Sequence, residues 1–263
     1  MMSAPMICCV ASVAIALFTA LGSAQARADT KTQHSEDAQD FVHGAPSEPS
    51  EEWTLAAGGR IYDNWWDALD RKEPSGTHPS YPSSAKQAGK ATWRCKECHG
   101  WDYKGRDGRY ATGSHATGIK GIDGAKGRET AEIVALLRAP VHGYGADLMS
   151  DDEIARVAAF VSRGQHDMAD AVDGNGRPRG DAARGKAVFQ TICAACHGFD
   201  GRLLNWGTKD EPAYIGTEAS KLPDEVLHKI RNSHPGAAMV NLRVLPLADA
   251  VDVLTYAATL PVK

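Results

Sequence analysis

Apolar positions at helical spacing close two stretches of this chain. Ile154, Val157, Ala158 and Val161 fall on one face behind Ser150-Asp151-Asp152-Glu153, and Gly164 stops the run. The serine and the glutamate three residues on form a capping box, each satisfying a backbone N–H that the first turn leaves free. Towards the C-terminus, Leu247, Ala250, Val251, Leu254, Ala257 and Ala258 share a face between Pro246 and Pro261. A shorter helical run precedes each: Thr130–Arg138, and Pro223–Arg231 with Val226, Leu227 and Ile230 inward. No convincing pair of alternating strands interrupts this pattern, which predicts a mainly α protein.

The two stretches belong to segments of similar design. Gly185-Lys186-Ala187-Val188-Phe189 opens the second, and Cys193 follows Phe189 by four residues. Gly59-Arg60-Ile61-Tyr62 opens the first, but Cys95 trails Tyr62 by 33 residues, an excess of 29. The excess is placed at 63–92, where Pro74, Pro79 and Pro82 predict a loop. A Gly/Asp-rich stretch through Gly174-Asn175-Gly176-Arg177-Pro178 marks 164–180 as a linker. The expected domains are therefore 53–163 and 181–263.

Ahead of them, residues 27–52 are polar and acidic without apolar periodicity, the signature of a disordered tether. Residues 1–26 have the pattern of a secretory signal peptide, with an apolar run from Ile7 to Leu21 and a small-x-small site at Ala24-Gln25-Ala26. That run is shorter than the roughly 20 residues a membrane span needs. Cleavage, export to the periplasm and no lasting membrane anchor are expected.

Composition excludes little. Hydrophobic residues make up 43% and charged residues 24%, values compatible with an enzyme or a binding module. The net charge of −4 and the lack of a basic run argue against nucleic acid as a partner. The cysteines are more informative. Cys8 and Cys9 leave with the leader, and the four that remain form two Cys-x-x-Cys pairs, each followed at once by histidine: Cys95, Cys98, His99 and Cys193, Cys196, His197. Two thiols three residues apart on a helical turn can form thioethers with both vinyl groups of one haem, and the adjacent imidazole then faces the iron from the proximal side. A zinc ribbon has no need of histidine at that position, and thiol–disulfide motifs rarely carry it. Two haem c groups are expected, with iron held by His99 and His197. No cysteine remains for a disulfide or for catalysis.

At these motifs the chain resembles the class I c-type cytochromes, as a tandem di-haem member. The run from Gly185 through Cys193-Ala194-Ala195-Cys196-His197-Gly198 is similar to the family's entry helix and haem motif. His234-Pro235-Gly236-Ala237-Ala238-Met239 is similar to its distal-ligand loop, and Leu247–Leu260 with Tyr256 to its closing helix. The first segment matches through its motif, insertion and final helix. The resemblance implies two small tandem class I cytochrome c-like domains, mainly α, each wrapped around a haem with one edge exposed. It makes Met239 the distal ligand of the second haem, with His234 and His228 in reserve; His228 is expected to be a solvated or capping side chain.

For the first haem, aligning Phe160 with Tyr256 puts Gly143 opposite Met239, and His142 is the nearest ligand type. Met149 competes with it, and His115 and Met168 are further candidates. Bis-histidine ligation lowers a haem's potential and thioether ligation raises it, so electrons are expected to run from the first haem to the second. Trp93, Trp101 and Tyr103, with Trp65 and Trp66, are expected against the macrocycle, although a docking face is the competing use. The run Lys104-Gly105-Arg106-Asp107-Gly108-Arg109 is expected to be a solvated turn.

The function this implies is single-electron transfer between protein partners such as a dehydrogenase, a reductase or a terminal oxidase, either as a free carrier or as a subunit of an oxidoreductase complex. A di-haem peroxidase or sulfur-compound dehydrogenase with an open or labile first haem is the enzyme alternative; the lack of a spare cysteine counts against the sulfur enzyme. A gas sensor would also need an open iron, and no signalling domain accompanies it.

Overall fold

A computed structural model describes residues 42–263. The expected signal peptide, Cys8 and Cys9 and most of the expected tether lie outside the described residues.

The end of that tether is a helix cap. Ser50 Oγ accepts the Trp53 N–H at 3.2 Å, and Glu51 and Glu52 occupy the first turn of α1 (Glu51–Ala68), where negative charge suits the helix dipole. Helix α1 is interrupted at Asn64 and continues to Ala68, so 63–68 extends the helix where the insertion was expected to begin. After the irregular stretch to Trp93 come α2 (Cys95–His99), α3 (Thr130–Arg138), α4 (Asp151–Ala159) and α5 (Met168–Ala171). The second half adds α6 (Ala182–Val188), α7 (Ala194–His197), α8 (Ile215–Lys221), α9 (Pro223–Asn232) and α10 (Leu247–Ala257). The Ser150–Glu153 capping box of α4 forms in both directions. Among the described residues there are two isolated β-bridges and no sheet. None of these helices is long and apolar enough to cross a membrane.

In each half the first helix lies across the last, and a glycine makes the crossing possible. A Cβ on Gly58 of α1 would stand 2.1 Å from the Arg156 carbonyl oxygen of α4. A Cβ on Gly185 of α6 would stand 1.9 Å from the Asp252 carbonyl oxygen of α10. Both distances are far inside van der Waals contact, so the backbones touch only because neither residue has a side chain. Gly58, not the Gly59 paired with Gly185 from sequence, is thus the counterpart of Gly185, and it precedes Tyr62 by the same four residues that separate Gly185 from Phe189.

Each half closes over its own apolar core. The first gathers Ile61, Tyr62, Trp65, Met149, Ile154 and Phe160. The second gathers Phe189, Leu227, Val253 and Leu254, together with Met168, Ala171 and Val172 from the segment expected as a linker. That segment packs because α5 carries apolar side chains on its inner face, capped by Asp167, whose side chain accepts the Ala169 N–H.

Helix α9 joins the halves. His228, expected in solvent, is fully buried against α1. Its Nε2 donates to the Gly59 carbonyl at 2.8 Å, and its Nδ1 accepts the Tyr103 hydroxyl at 2.8 Å. Burial holds this imidazole down at about 4, which keeps it neutral in that role. One residue on, Lys229 Nζ lies 2.6 Å from Asp63 Oδ2. Arg94 meets the other oxygen of the same fully buried carboxylate. Burial alone would raise the Asp63 carboxyl, but the two cations overturn that and hold it well below the usual carboxylate range.

The run expected as a solvated turn joins in. Arg109 Nε sits 2.5 Å from Asp224 Oδ2 in the first turn of α9, and Lys104 faces Asp167. Its charges find acidic partners on the other half, which a reading of the run alone does not supply.

Candidate functional site

The first motif begins where Arg94 is fixed: its guanidinium Nε donates to the Asp63 carbonyl at 2.7 Å, setting the chain direction into α2. Helix α2 spans one turn, so Cys95 and Cys98 share a side and His99 follows; Gly100 ends it with φ +81. Tyr62 of α1 braces this end by donating its hydroxyl to the Gly100 carbonyl at 2.6 Å.

Cys95, Cys98 and His99 line a cavity of about 610 Å³. His142, in the turn after α3, lines the same cavity. The His99 and His142 rings face each other with centroids 6.1 Å apart and planes 30° apart. His99 Nδ1 donates to the Lys120 carbonyl at 2.8 Å, and His142 Nδ1 to the Leu136 carbonyl at 3.1 Å. In each ring Nε2 is left as the nitrogen free to bind a metal, the arrangement by which a carbonyl orients a ligating imidazole. Burial pushes the His99 imidazole down to about 4 and lowers His142 as well, so both keep a lone pair at neutral pH.

The other candidates lie elsewhere. Met149 is buried in the first core, outside the cavity wall, because it is the apolar residue under the Ser150 cap. Met168 belongs to the second core. His115 Nδ1 pairs with Glu97 at 2.6 Å and its ring stacks on Tyr110.

None of the tryptophans expected against a macrocycle lines the cavity, and neither does Tyr103. Trp65 and Trp66 are core residues, Trp101 is buried beneath the Lys96 and Lys229 amines, and Tyr103 serves His228. Trp93 packs on His78. The aromatic walls are Tyr62 and Tyr144, with Ile133, Leu137, Val157 and Val161 between them. Val157 and Val161 were read from helical spacing as sharing a face, but the spacing does not say that the face lines a cavity.

The second motif repeats the one-turn helix, now α7, with Gly198 at φ +80 after His197. Cys193 and His197 line a smaller cavity of about 220 Å³ with Phe189, Trp206, His234 and Met239; Cys196 is exposed beside it. Both distal candidates of the Pro/Gly loop therefore reach one crevice. Ser233 pins that loop, its hydroxyl donating to the Met239 carbonyl at 2.6 Å, while His234 Nδ1 contacts the Pro235 carbonyl at 2.7 Å. His197 Nδ1 is buried with no hydrogen-bond partner among the described residues. Burial lowers both His197 and His234.

The donor sets fit covalent haem. Burial raises the Cys95 and Cys193 thiols to about 11 and Cys98 to about 12, so they are protonated thiols and not thiolate nucleophiles. Arg106, Lys120 and Arg128 line the first cavity, where they would meet carboxylates. Among the described residues no three His, Cys, Asp or Glu side chains converge as a cage for a bare metal ion.

No curated protein was found to be similar to the chain. Residues 180–256 match the family model described as cytochrome C oxidase, cbb3-type, subunit III. The match supports a c-type cytochrome domain in the second half, and a domain of that kind carries covalently bound haem c and transfers electrons.

Proposed function

We propose that this chain is an exported, periplasmic di-haem c-type cytochrome, made of two tandem domains, that passes single electrons between protein redox partners. One haem is held by Cys95, Cys98, His99 and His142, the other by Cys193, Cys196, His197 and Met239. The family match over 180–256 supports the second site. The recurrence of the glycine crossing at Gly58 and Gly185 supports a first domain of the same kind.

The observation that carries the reading for the first site is the His99–His142 pair. Two metal–nitrogen bonds of about 2 Å, plus the half-widths of two imidazoles, separate ring centres by about 6 Å across one metal ion. The two rings stand 6.1 Å apart.

Bound haem supplies a one-electron couple. His99 with His142, and His197 with Met239, would hold the iron; burial keeps the three imidazoles neutral, and apolar side chains wall both cavities. Two imidazoles at the first site favour the oxidised metal relative to the imidazole–thioether pair at the second, which sets the direction from first to second.

A pyridine haemochrome assay of the purified holoprotein is expected to return two haems per chain. Carbon monoxide added to the dithionite-reduced protein is expected to leave the Soret spectrum unshifted. Stoichiometric carbon monoxide binding at one haem would replace the carrier with a catalytic or sensing role.

A further inference from the structure

The insertion that lengthens the first half lines the first cavity with His78, Ser80 and Thr92, and the function proposed above uses none of them. We propose that His78 is a positioning residue that locks His142 in place, so that the insertion acts as a strap over the distal turn. The inference rests on the reading of His142 as an axial ligand.

His78 lines the same cavity as His142 and is 9% exposed. Its Nε2 donates to the backbone carbonyl of His142 at 2.9 Å, and its Nδ1 accepts the Ser80 N–H at 3.1 Å. Both ring nitrogens are therefore engaged, which removes His78 itself from the list of ligands and fixes its tautomer.

The ring is held from behind. The His78 N–H donates to Thr92 Oγ1 at 2.8 Å, and that hydroxyl donates to the Gly89 carbonyl at 2.7 Å. Trp93 packs edge-on against the imidazole with centroids 4.5 Å apart. A second tie comes from the same segment: Tyr144 donates its hydroxyl to the Trp93 carbonyl at 2.7 Å.

The turn needs such ties. His142 lies between exposed Val141 and Gly143, whose φ is +65, and its own backbone N–H closes only a short turn to the Ala139 carbonyl at 2.9 Å. With the His142 carbonyl bonded to His78 and its Nδ1 bonded to Leu136, both ends of the residue are fixed and its remaining ring nitrogen has one direction left. Without His78 the carbonyl turns to solvent and the ligand swings with it.

The test is carbon monoxide binding to the reduced holoprotein, followed in the Soret band, for His142→Ala, His78→Ala, His78→Gln and Thr92→Val. His142→Ala is expected to open one haem fully. His78→Ala is expected to let that same haem take up carbon monoxide, which the parent does not, because losing one hydrogen bond of ordinary strength raises its open fraction about fivefold. His78→Gln is expected to restore the parent behaviour, because its amide N–H reaches the same carbonyl.

If His142→Ala opens the haem but His78→Ala does not, or if glutamine fails to restore it, the positioning role is overturned and the ligand assignment stands. If His142→Ala leaves both haems closed, the ligand assignment itself fails. Should His78→Ala not yield folded holoprotein, Thr92→Val decides the matter: carbon monoxide uptake at that haem supports the strap, and no uptake overturns it.

Discussion

Replacing Asp224 by asparagine is expected to stabilise the protein at neutral pH, although it removes one partner of an ion pair. Asp224 is 3% exposed, and its Oδ2 stands 2.5 Å from Arg109 Nε. Burial lifts its carboxyl from 3.8 to about 6 in spite of Arg109, and the Asp102 carboxylate adds to the rise. At about 1.4 kcal/mol per pH unit, ionising Asp224 costs the folded state about 3 kcal/mol.

The folded carboxyl binds its proton more tightly than the unfolded one, so this group's contribution to stability is greatest below 3.8. It falls as pH rises through 3.8 to about 6, and stays low above. Asparagine cannot ionise. Allowing up to about 1 kcal/mol for the lost charge at the start of α9, Asp224→Asn should gain about 2 kcal/mol at about pH 7, or roughly 4–8 °C in Tm. The gain should vanish by about pH 3, below the unfolded carboxyl's 3.8, where the aspartate is protonated in both states. Calorimetry of the holoprotein across that range measures both numbers. A variant less stable than the parent at neutral pH, or a gain that does not change with pH, refutes the argument.

Three further outcomes follow from the packing. Gly58→Ala and Gly185→Ala each force a methyl into a carbonyl oxygen of the facing helix, and each should cost about 3 kcal/mol or more in urea unfolding; an unchanged midpoint would show that the helices slide apart freely. Asp63→Asn leaves Lys229 and Arg94 without their buried counter-charge and should cost about 3–5 kcal/mol, with part recovered when Lys229→Met is added. Tyr103→Phe strips the donor from His228 Nδ1 and should cost about 1–3 kcal/mol, seen as faster amide exchange along α9; exchange at the parent rate would mean that the bond is dispensable.

The helices were legible because their signals are local. Thr130–Arg138 and the capping box at Ser150 need only neighbours along the chain, and the structure has both. His142 was named by a long-range alignment, and the structure puts its ring in the same cavity as His99: the crossings of Gly58 with Arg156 and Gly185 with Asp252 show the same offset that aligns Phe160 with Tyr256.

What escaped was everything that depends on the second half lying on the first. His228 sits in a helix whose apolar face, Val226 and Ile230, serves its own half, and periodicity does not reveal that the opposite side is covered too. Arg109 and Lys104 belong to a run that looks solvated until Asp224 and Asp167 arrive from elsewhere. The aromatic residues around the first motif were assigned by nearness in sequence. One helical turn later the chain has reversed, and Trp101 and Tyr103 are carried away from the cavity, while Tyr144 enters it from about 50 residues on.

The glycine crossings also set an order of assembly. Each half is sealed by contact between its first and last helices, so neither can close until its whole length has been made, and closing such loops is slower than pairing sequence neighbours. A chain produced from its N-terminus completes α4, and with it the first half, before α6 exists. Gly59 and Tyr103 are then already in place when His228 arrives to bond them both. The first half is in this sense a template for seating the second, and a defect that leaves α1 loose is inherited by α9, whereas a defect in α10 has no route back in time to the half already built.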